Sequence, residues 1–398
     1  LTEAQRAIAF VEANRTGNGR LILEKCRRFS VIPHVLTRAP ESYPKGYLDA
    51  ARVVVIDTTD PAAVLQVCEE IDPVGVWSTS DLGIEVATEV AARLGLIGPD
   101  PQAVRLCRDK ARQHAVMRAT DVPVPATVVI EEDAADHCEA VNELACPLVV
   151  KPSLGTGSMH VRSFVDSSDA LAYAEALLGE TGEGVLVQEQ VEGPEFSVEV
   201  LEQRPVAVMR KYLSEDDLFV EVGHDCLGVA SSAGARDLVG SALAAIHSLG
   251  LTRGPAHVEL RRGPSGPVLI EVNPRLAGGQ IPIVVKHGLG IDMVSETLRW
   301  LLGGRPRLHP IRETGAAVRF LLAEQAGTLA GVEGTAAAED LPGIVEVDSR
   351  APGSPVQLGD FRQRVAHLIA SGEDGDSAGR VAEQGLALLD AEVTAATP

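Results

Sequence analysis

The chain has 398 residues and a formal net charge of −21, from 35 basic and 56 acidic side chains. An acidic surface of that size repels phosphate backbones and anionic bilayers, which sets aside nucleic-acid and membrane binding. No apolar run reaches membrane-spanning length. Hydrophobic residues make up 45% but aromatics only 3%, so the core is built from Val, Leu, Ile and Ala, a composition that suits parallel strands covered by helices. The length calls for two or three domains. None of the six cysteines (Cys26, Cys68, Cys107, Cys138, Cys146 and Cys226) falls in a C-x-x-C pair. The expectation is therefore buried, reduced thiols in a cytoplasmic protein rather than a zinc knuckle. Leu1 to Arg6 lacks a basic stretch followed by an apolar one, so no signal peptide is expected there.

Residues 1–100 alternate strand and helix signals, which predicts a small parallel α/β layer. Ala7–Val11, Ser30–Leu36 and Arg52–Asp57 read as strands and Gly75–Ser78 as the start of a fourth, with a helical pattern from Leu21 to Cys26 and a helix from Pro61 to Ile71. Thr16-Gly17-Asn18-Gly19 lacks the third glycine of a dinucleotide fingerprint and reads as a plain strand-to-helix turn. Such turns lie at the carboxyl ends of strands, where ligands collect. A second unit, 101–308, starts with a helical run to Thr120. It continues with strands at Thr127–Ile130, Leu148–Lys151, Val185–Gln188, Phe196–Leu201, Val206–Met209, His257–Leu260 and Val268–Val272. Helices are expected around Asp169–Leu178 and Leu238–Leu249, and a lid subdomain at about 120–195. Residues 309–398 form a small C-terminal α+β unit with a final helix from Ser377 to about Leu389 and a frayed tail from Val393.

Four separated pieces carry chemistry. In Leu148-Val149-Val150-Lys151-Pro152-Ser153-Leu154-Gly155-Thr156-Gly157-Ser158, a lysine at a strand end precedes a small-residue loop. Its backbone N–H groups and the hydroxyls of Thr156 and Ser158 suit phosphate oxygens, and Lys151 suits their charge. The Gly-Lys-[Ser/Thr] ending of a Walker A loop is missing, and taken alone a surface loop explains the segment equally well. Gln188-Glu189-Gln190-Val191-Glu192-Gly193-Pro194-Glu195 runs from a strand into a Gly-Pro turn. An exposed hinge backbone there can read an adenine edge, with Glu195 placed for ribose hydroxyls; a polar hairpin is the other reading. Ala256-His257-Val258-Glu259-Leu260 and Ile270-Glu271-Val272-Asn273-Pro274-Arg275 place 257 with 259, and 271 with 273, on one face of their strands. Glu259, Glu271 and Asn273 then offer three hard oxygen ligands to Mg²⁺. Two facing carboxylates are costly on a purely structural sheet, so a metal is the better reading. Arg275 stands beyond them, suited to a phosphoryl group or acyl phosphate. The fourth piece is scattered cations: Lys110 on a helix, and Arg210-Lys211 after a strand.

In that order and spacing, Asp109-Lys110, Val150-Lys151-Pro152 with its glycine loop, Glu189 to Glu195, and Glu259 with Glu271-x-Asn273-Pro274-Arg275 resemble the ATP-grasp superfamily over about residues 100–305. The Gly-Pro-Glu-Phe run is similar to that of D-alanine–D-alanine ligases. The run from Ile270 to Gly278-Gly279 looks more like L-amino acid ligases. Val365–Glu373 resembles the closing segment of biotin-carboxylase-like and amino acid ligase chains. The resemblance implies an ATP-grasp fold, mixed α/β and α+β, with an N-terminal parallel-sheet domain and a small C-terminal domain. Lys110 and Lys151, and with them Lys211, would contact ATP phosphates. Gly155, Thr156, Gly157 and Ser158 would form the lid loop. Gln188, Glu189 and Val191 would frame adenine, and Glu195 would hold ribose. Glu259, Glu271 and Asn273 would bind two Mg²⁺, for which Mn²⁺ can substitute. Arg275 would stabilise the acyl phosphate and the tetrahedral intermediate.

The implied reaction is attack of a small carboxylic acid on the γ-phosphorus of ATP, then of an amine on the acyl phosphate, with a homodimer as the family expectation. Glu221-Val222-Gly223-His224-Asp225 is the candidate substrate segment. Glu221 or Asp225 would pair with a substrate amino group, and His224 would orient it or accept a proton. An ordinary polar loop is the other reading. His257 faces the metal side by strand parity, and Gly278 and Gly279 belong with the substrate end. The rivals are a biotin-carboxylase-like enzyme, a D-alanine–D-alanine-like ligase and a non-catalytic ATP-binding module.

Overall fold

The computed structural model describes residues 6–15, 17–214, 218–228 and 235–395. Residues 1–5, 16, 215–217, 229–234 and 396–398 lie outside them, among them most of the acidic segment Ser214 to Asp217. The first four strands, β1 (Arg6–Val11), β2 (Val31–Thr37), β3 (Arg52–Val55) and β4 (Gly75–Trp77), form a parallel sheet of order β3-β2-β1-β4. β1 is apolar at every position after Arg6 because both of its faces are covered. Ile8 and Phe10 join Ile22 and Leu23 of the helix Asn18–Cys26, while Ala9 and Val11 join Val64, Ala87 and Val90 from the helices Pro61–Ile71 and Ile84–Arg93 on the other side.

The expected helical run to Thr120 is two helices, Pro101–Arg108 and Lys110–Ala119, broken at Asp109. Asp109 ends one and caps the next, its carboxylate accepting from the N–H groups of Ala111 and Arg112. β5 (Thr127–Ile130), β6 (Leu148–Pro152), β7 (Arg162–Phe164) and β8 (Val185–Glu189) make an antiparallel sheet of order β5-β8-β6-β7. It has its own core, in which Val150, Val185 and Val187 pack on Ala170, Ala174 and Leu177 of the helix Ser167–Thr181.

β9 (Glu195–Leu201), β10 (Arg204–Leu213), β11 (Glu221–Cys226), β12 (Pro255–Gly263), β13 (Gly266–Asn273) and β14 (Gly315–Leu322) follow, then β15 (Gly327–Glu333), β16 (Ile344–Ser349), β17 (Pro355–Val356), β18 (Arg364–Gly372) and β19 (Asp390–Ala395). Eight of these form one sheet, β13-β12-β9-β10-β11-β14-β18-β16, which runs unbroken across position 308. Over Phe196–Val200, Ala256–Leu260 and Glu271–Asn273 the strands β9, β12 and β13 alternate. Phe196, Val198, Val200, Ala256, Val258, Leu260 and Val272 point to one side, against Leu238, Ala242 and Ile246 of the helix Arg236–Ser248. Ser197, Glu199, His257, Glu259, Glu271 and Asn273 point to the other. Hydrophobic burial on one face thus fixes the register and presents the polar set as a group.

Several elements differ from expectation. β10 runs four residues past Met209, so Arg210 and Lys211 lie inside a central strand. Residues 221–225 are not a loop but most of β11, paired on both sides. The final helix is Gly375–Leu386, and Val393–Ala395 are not frayed but end β19, which pairs with β15.

Gly193 joins the lid sheet to the large sheet with φ of 107°, and a Cβ there would lie 2.1 Å from the carbonyl oxygen of Arg262. Both the backbone angle and the close approach require glycine. Gly193→Ala is expected to cost about 1–3 kcal/mol, read as a lower thermal unfolding midpoint; an unchanged midpoint would contradict the close approach.

Candidate active site

Glu259 and Glu271 stand directly opposite each other on β12 and β13, and His257 stands opposite Asn273. The register shifts just after Glu259. Two facing carboxylates repel, and lysines offset them. Lys211 Nζ lies 2.7 Å from Glu259, 2.8 Å from Glu195 and 3.2 Å from Glu221. Burial opposes the lysine charge, but three carboxylates outweigh it and hold its pKa well above the usual value. His257 is buried between Glu199 at 2.8 Å and Glu259 at 3.0 Å. Burial lowers its pKa, and the two carboxylates more than reverse that, pushing it up to about 10.

The glycine loop is tied to this face. Lys110, the first residue of its helix, reaches Glu271 at 3.2 Å and donates to the Gly155 carbonyl at 3.0 Å. Asp109 accepts from the Ser153 hydroxyl at 2.7 Å. Lys151 sits on the face of β6 that looks away from the lid core, with Leu186 opposite. Burial pulls its pKa down to about 8, against the upward pull of Glu271, Glu259 and Glu195. No carboxylate lies within ion-pair distance of it among the described residues. Lys110, Lys151 and Gln188 line a narrow cleft together with Gln113, His114, Met117, Leu186 and Leu269.

Gln188 donates to the Thr127 hydroxyl at 2.7 Å. Glu189 and Val191 are not in that cleft. Strand alternation sends the Glu189 carboxylate to the Ala145 N–H at 2.8 Å, and both residues line a separate groove of about 360 Å³ with Cys146, Pro147 and Pro264. Glu195 is buried, held by Lys211 and by Arg261 at 2.9 Å.

Glu221 and His224 reach the site, and Asp225 does not. His224 registers with Lys211, whereas Asp225 registers with Arg210 on the opposite face. There it is buried, 2.7 Å from Arg319 and 2.6 Å from the Tyr212 hydroxyl. Asp225 is a structural ion-pair partner, and its expected contact with substrate is corrected accordingly. His224 is fully buried, its two ring nitrogens have no hydrogen-bond partner, and Glu221 lies 3.6 Å away. Burial keeps it below the usual histidine pKa, hence neutral. Gly279 abuts both: a Cβ there would lie 2.6 Å from His224 Nε2 and 3.4 Å from Glu221 Oε2, whereas one on Gly278 would meet nothing within 4 Å.

Sequence reasoning missed Asp81. Its carboxylate takes a bidentate pair from Arg275, at 2.8 and 2.7 Å, a third contact from Arg108 at 3.1 Å and the Thr156 hydroxyl of the glycine loop at 2.6 Å. Burial raises its pKa, but the two guanidiniums hold it well below the usual carboxylate range. The signal was present: Ser78-Thr79-Ser80-Asp81 leaves the carboxyl end of β4, where parallel sheets place ligands. Glu199, a buried charge within an apolar strand, was also overlooked. Among the described residues no three His, Cys, Asp or Glu side chains gather as a metal cluster. Glu259, Glu271 and Asn273 are two carboxylates and an amide, a hard oxygen set that suits a cation whose remaining ligands are phosphate and water.

Asp81→Ala would strand Arg275 and Arg108 without their buried counter-charge. It is expected to cost about 3–5 kcal/mol in denaturant unfolding; a loss below 1 kcal/mol would mean that the pair is not an anchor.

Residues 107–279 match the family model described as ATP-grasp domain, and residues 319–394 match L-amino acid ligase C-terminal domain 2. An uncharacterized protein, y4rH, of Sinorhizobium fredii is 29% identical over 399 residues, 97% of this chain and 83% of that protein. The L-arginine-specific L-amino acid ligase of Bacillus subtilis is 22% identical over 319 residues, 74% of this chain and 75% of that one. The crystal structure of L-amino acid ligase from Bacillus licheniformis superposes with a TM-score of 0.83 at 20% identity, covering 99% of this chain and 100% of that one. The chain thus contains an ATP-grasp domain at residues 107–279 and, at residues 319–394, a domain of the kind that closes L-amino acid ligases.

Proposed function

We propose that the chain is an ATP-dependent carboxylate–amine ligase, joining amino acids or an amino acid and another small carboxylic acid through an acyl phosphate, with release of ADP and phosphate. The observation that carries this reading is the facing pair Glu259 and Glu271, with Lys110 and Lys211 on them, Lys151 behind and Arg275 at the end of the same strand's exit. A purely structural sheet has no use for that concentration of charge. A protein that only held ATP would need fewer of these groups.

In this reading Lys110, Lys151 and Lys211 hold phosphate oxygens, and the cleft beside Met117, Leu186 and Leu269 takes the adenine. Gln188 lines that cleft, and Glu195 meets the ribose; Glu189 and Val191, which line the separate groove, would have to frame the adenine through their backbone. Glu259, Glu271 and Asn273 hold Mg²⁺, two ions in the family expectation, with Mn²⁺ able to substitute. Magnesium held by these residues would supply positive charge against the phosphates. Gly155 to Ser158 close over the phosphates and keep water from the acyl phosphate. Arg275, released from or shared with Asp81, stabilises the oxyanion of the tetrahedral intermediate. Glu221 pairs with a substrate ammonium. His224, neutral and unpartnered, accepts the proton that the attacking amine loses. Gly278, where a Cβ would meet nothing within 4 Å, leaves room for the substrate, and Gly279 packs closely on His224 and Glu221 at its edge. We further propose a cytosolic homodimer, in keeping with six free cysteines, four of them buried; no helix among the described residues is long and apolar enough to cross a membrane.

ADP release against paired panels of carboxylic acids and amines tests the reaction. Release only with two amino acids is the expected result. Dependence on bicarbonate would point to carboxyphosphate chemistry instead, and tight ATP binding without turnover to a binding module. Glu271→Gln is expected to lower turnover at least about 100-fold while leaving thermal unfolding within a few degrees of wild type. Turnover within a few-fold of wild type would remove Glu271 from the metal set. The lysine behind the metal face makes a pH prediction. Lys151 is ammonium below about pH 8 and loses its proton above it, so ATP affinity should fall by up to about tenfold between pH 7 and 9. Lys151→Arg should flatten that profile, and a Lys151→Arg profile as steep as wild type would assign the titration to another group.

A further inference from the structure

Arg364 is the first residue of β18 and belongs to the C-terminal part of the chain, yet its guanidinium reaches across the large sheet to the substrate end. Nη2 donates to Glu221 at 2.7 Å, and the guanidinium lies 4.5 Å over the ring of Phe320. Its Nε is buried and has no hydrogen-bond partner. An arginine carries five N–H donors in a planar fork suited to two carboxylate oxygens, and here a buried one of them goes unused. The ionic groups follow one another in a row: Glu259, then Lys211 at 2.7 Å, then Glu221 at 3.2 Å from that lysine, then Arg364. Arg364 therefore stands one ion pair farther from the metal face than Glu221. Gly279 packs closely on the same group, since a Cβ there would lie 2.6 Å from His224 Nε2 and 3.4 Å from Glu221 Oε2.

We infer that Arg364 binds the free carboxylate of the amine substrate, so that the nucleophile must be an amino acid or a similar zwitterion rather than a simple amine. This rests on the ligase reading above and deepens it. The acid substrate directs its own carboxylate to the phosphates and is consumed there. The second substrate brings its amine to that point and keeps an anionic group at the outer end of the row, where Arg364 offers the only cation beyond Glu221 among the charges just named. Glu221 and Arg364 pair with each other, and their adjacent opposite charges form a template for the ammonium and carboxylate of amino acids. Phe320 holds the guanidinium plane from behind through its π face. Position 364 is thus a specificity residue that a C-terminal strand contributes to a site otherwise built from the ATP-grasp core.

The test uses the full chain and the best acid and amine pair from the substrate panel, with the amine offered as the free amino acid and as its carboxamide. Wild type is expected to prefer the free acid at least about tenfold in kcat/KM. Arg364→Gln should raise the KM for the free amino acid by about 10- to 100-fold and bring the preference over the carboxamide close to one. Arg364→Lys should keep part of the preference, because charge without the fork is retained. Equal use of acid and carboxamide by wild type would overturn the inference even if Arg364→Gln failed to fold. A folded Arg364→Gln with the wild-type preference would overturn it too. Absence of ADP release with every acid and amine pair would instead sink the ligase reading and this inference with it.

Discussion

Two carboxylates placed face to face on paired antiparallel strands set the terms for the rest of this molecule. Glu259 and Glu271 repel each other across the ladder, and the sheet tolerates them because Lys211 from β10 and Lys110 from the helix before the lid each take one. The lysines are buried in turn, and burial penalises their charge unless carboxylates remain near. Neither sign is stable there without the other. What holds the group in place is the opposite face of the same strands, where valines and leucines pack on the helix Arg236–Ser248 and lock the register.

Around that face, three other parts of the chain converge. The parallel sheet sends in Asp81 to hold Arg275 and Asn18, whose amide donates to the Ala277 carbonyl, and Trp77 meets Trp300 edge-on at 5.6 Å. The lid brings Lys151 and the glycine loop on a separate core, joined by the glycine-dependent turn at Gly193. The C-terminal strands continue the large sheet rather than hanging from it. Through Arg364 they touch Glu221, and through Phe361 they touch the lid, since a Cβ on Gly157 would lie 2.6 Å from that ring. A loop that contacts both Asp81 and Phe361 is coupled to both ends of the site.

Much of this was legible beforehand where the rule is local. The alternation in Ala256–Leu260 and Ile270–Asn273 correctly put His257, Glu259, Glu271 and Asn273 on one face, and the helix Pro61–Ile71 agrees residue for residue. Harder were the places where β-pairing extends an element beyond its apolar run. Arg210 and Lys211 look like the polar end of a strand, but neighbours on both sides and three carboxylates carry β10 through them. Glu221 to Asp225 reads as a polar loop for the same reason. Its side chains are polar because one face meets the site and the other meets Arg319, not because water covers them.

The sequence by itself determined the donor set and its facing: which oxygens and ammonium groups are available, and which side of a strand each takes, because a period of two is a property of the backbone alone. Only the tertiary structure decided the pairings. Lys211 meets Glu259 across 48 residues, Arg364 meets Glu221 across 143, and Arg275 meets Asp81 across 194. Coulomb attraction depends on distance in space, and nothing in the local chain encodes a partner so far away. The same holds for Asp225, whose place opposite the site follows from which residue of β10 it registers with, a choice made by the packing of the whole sheet.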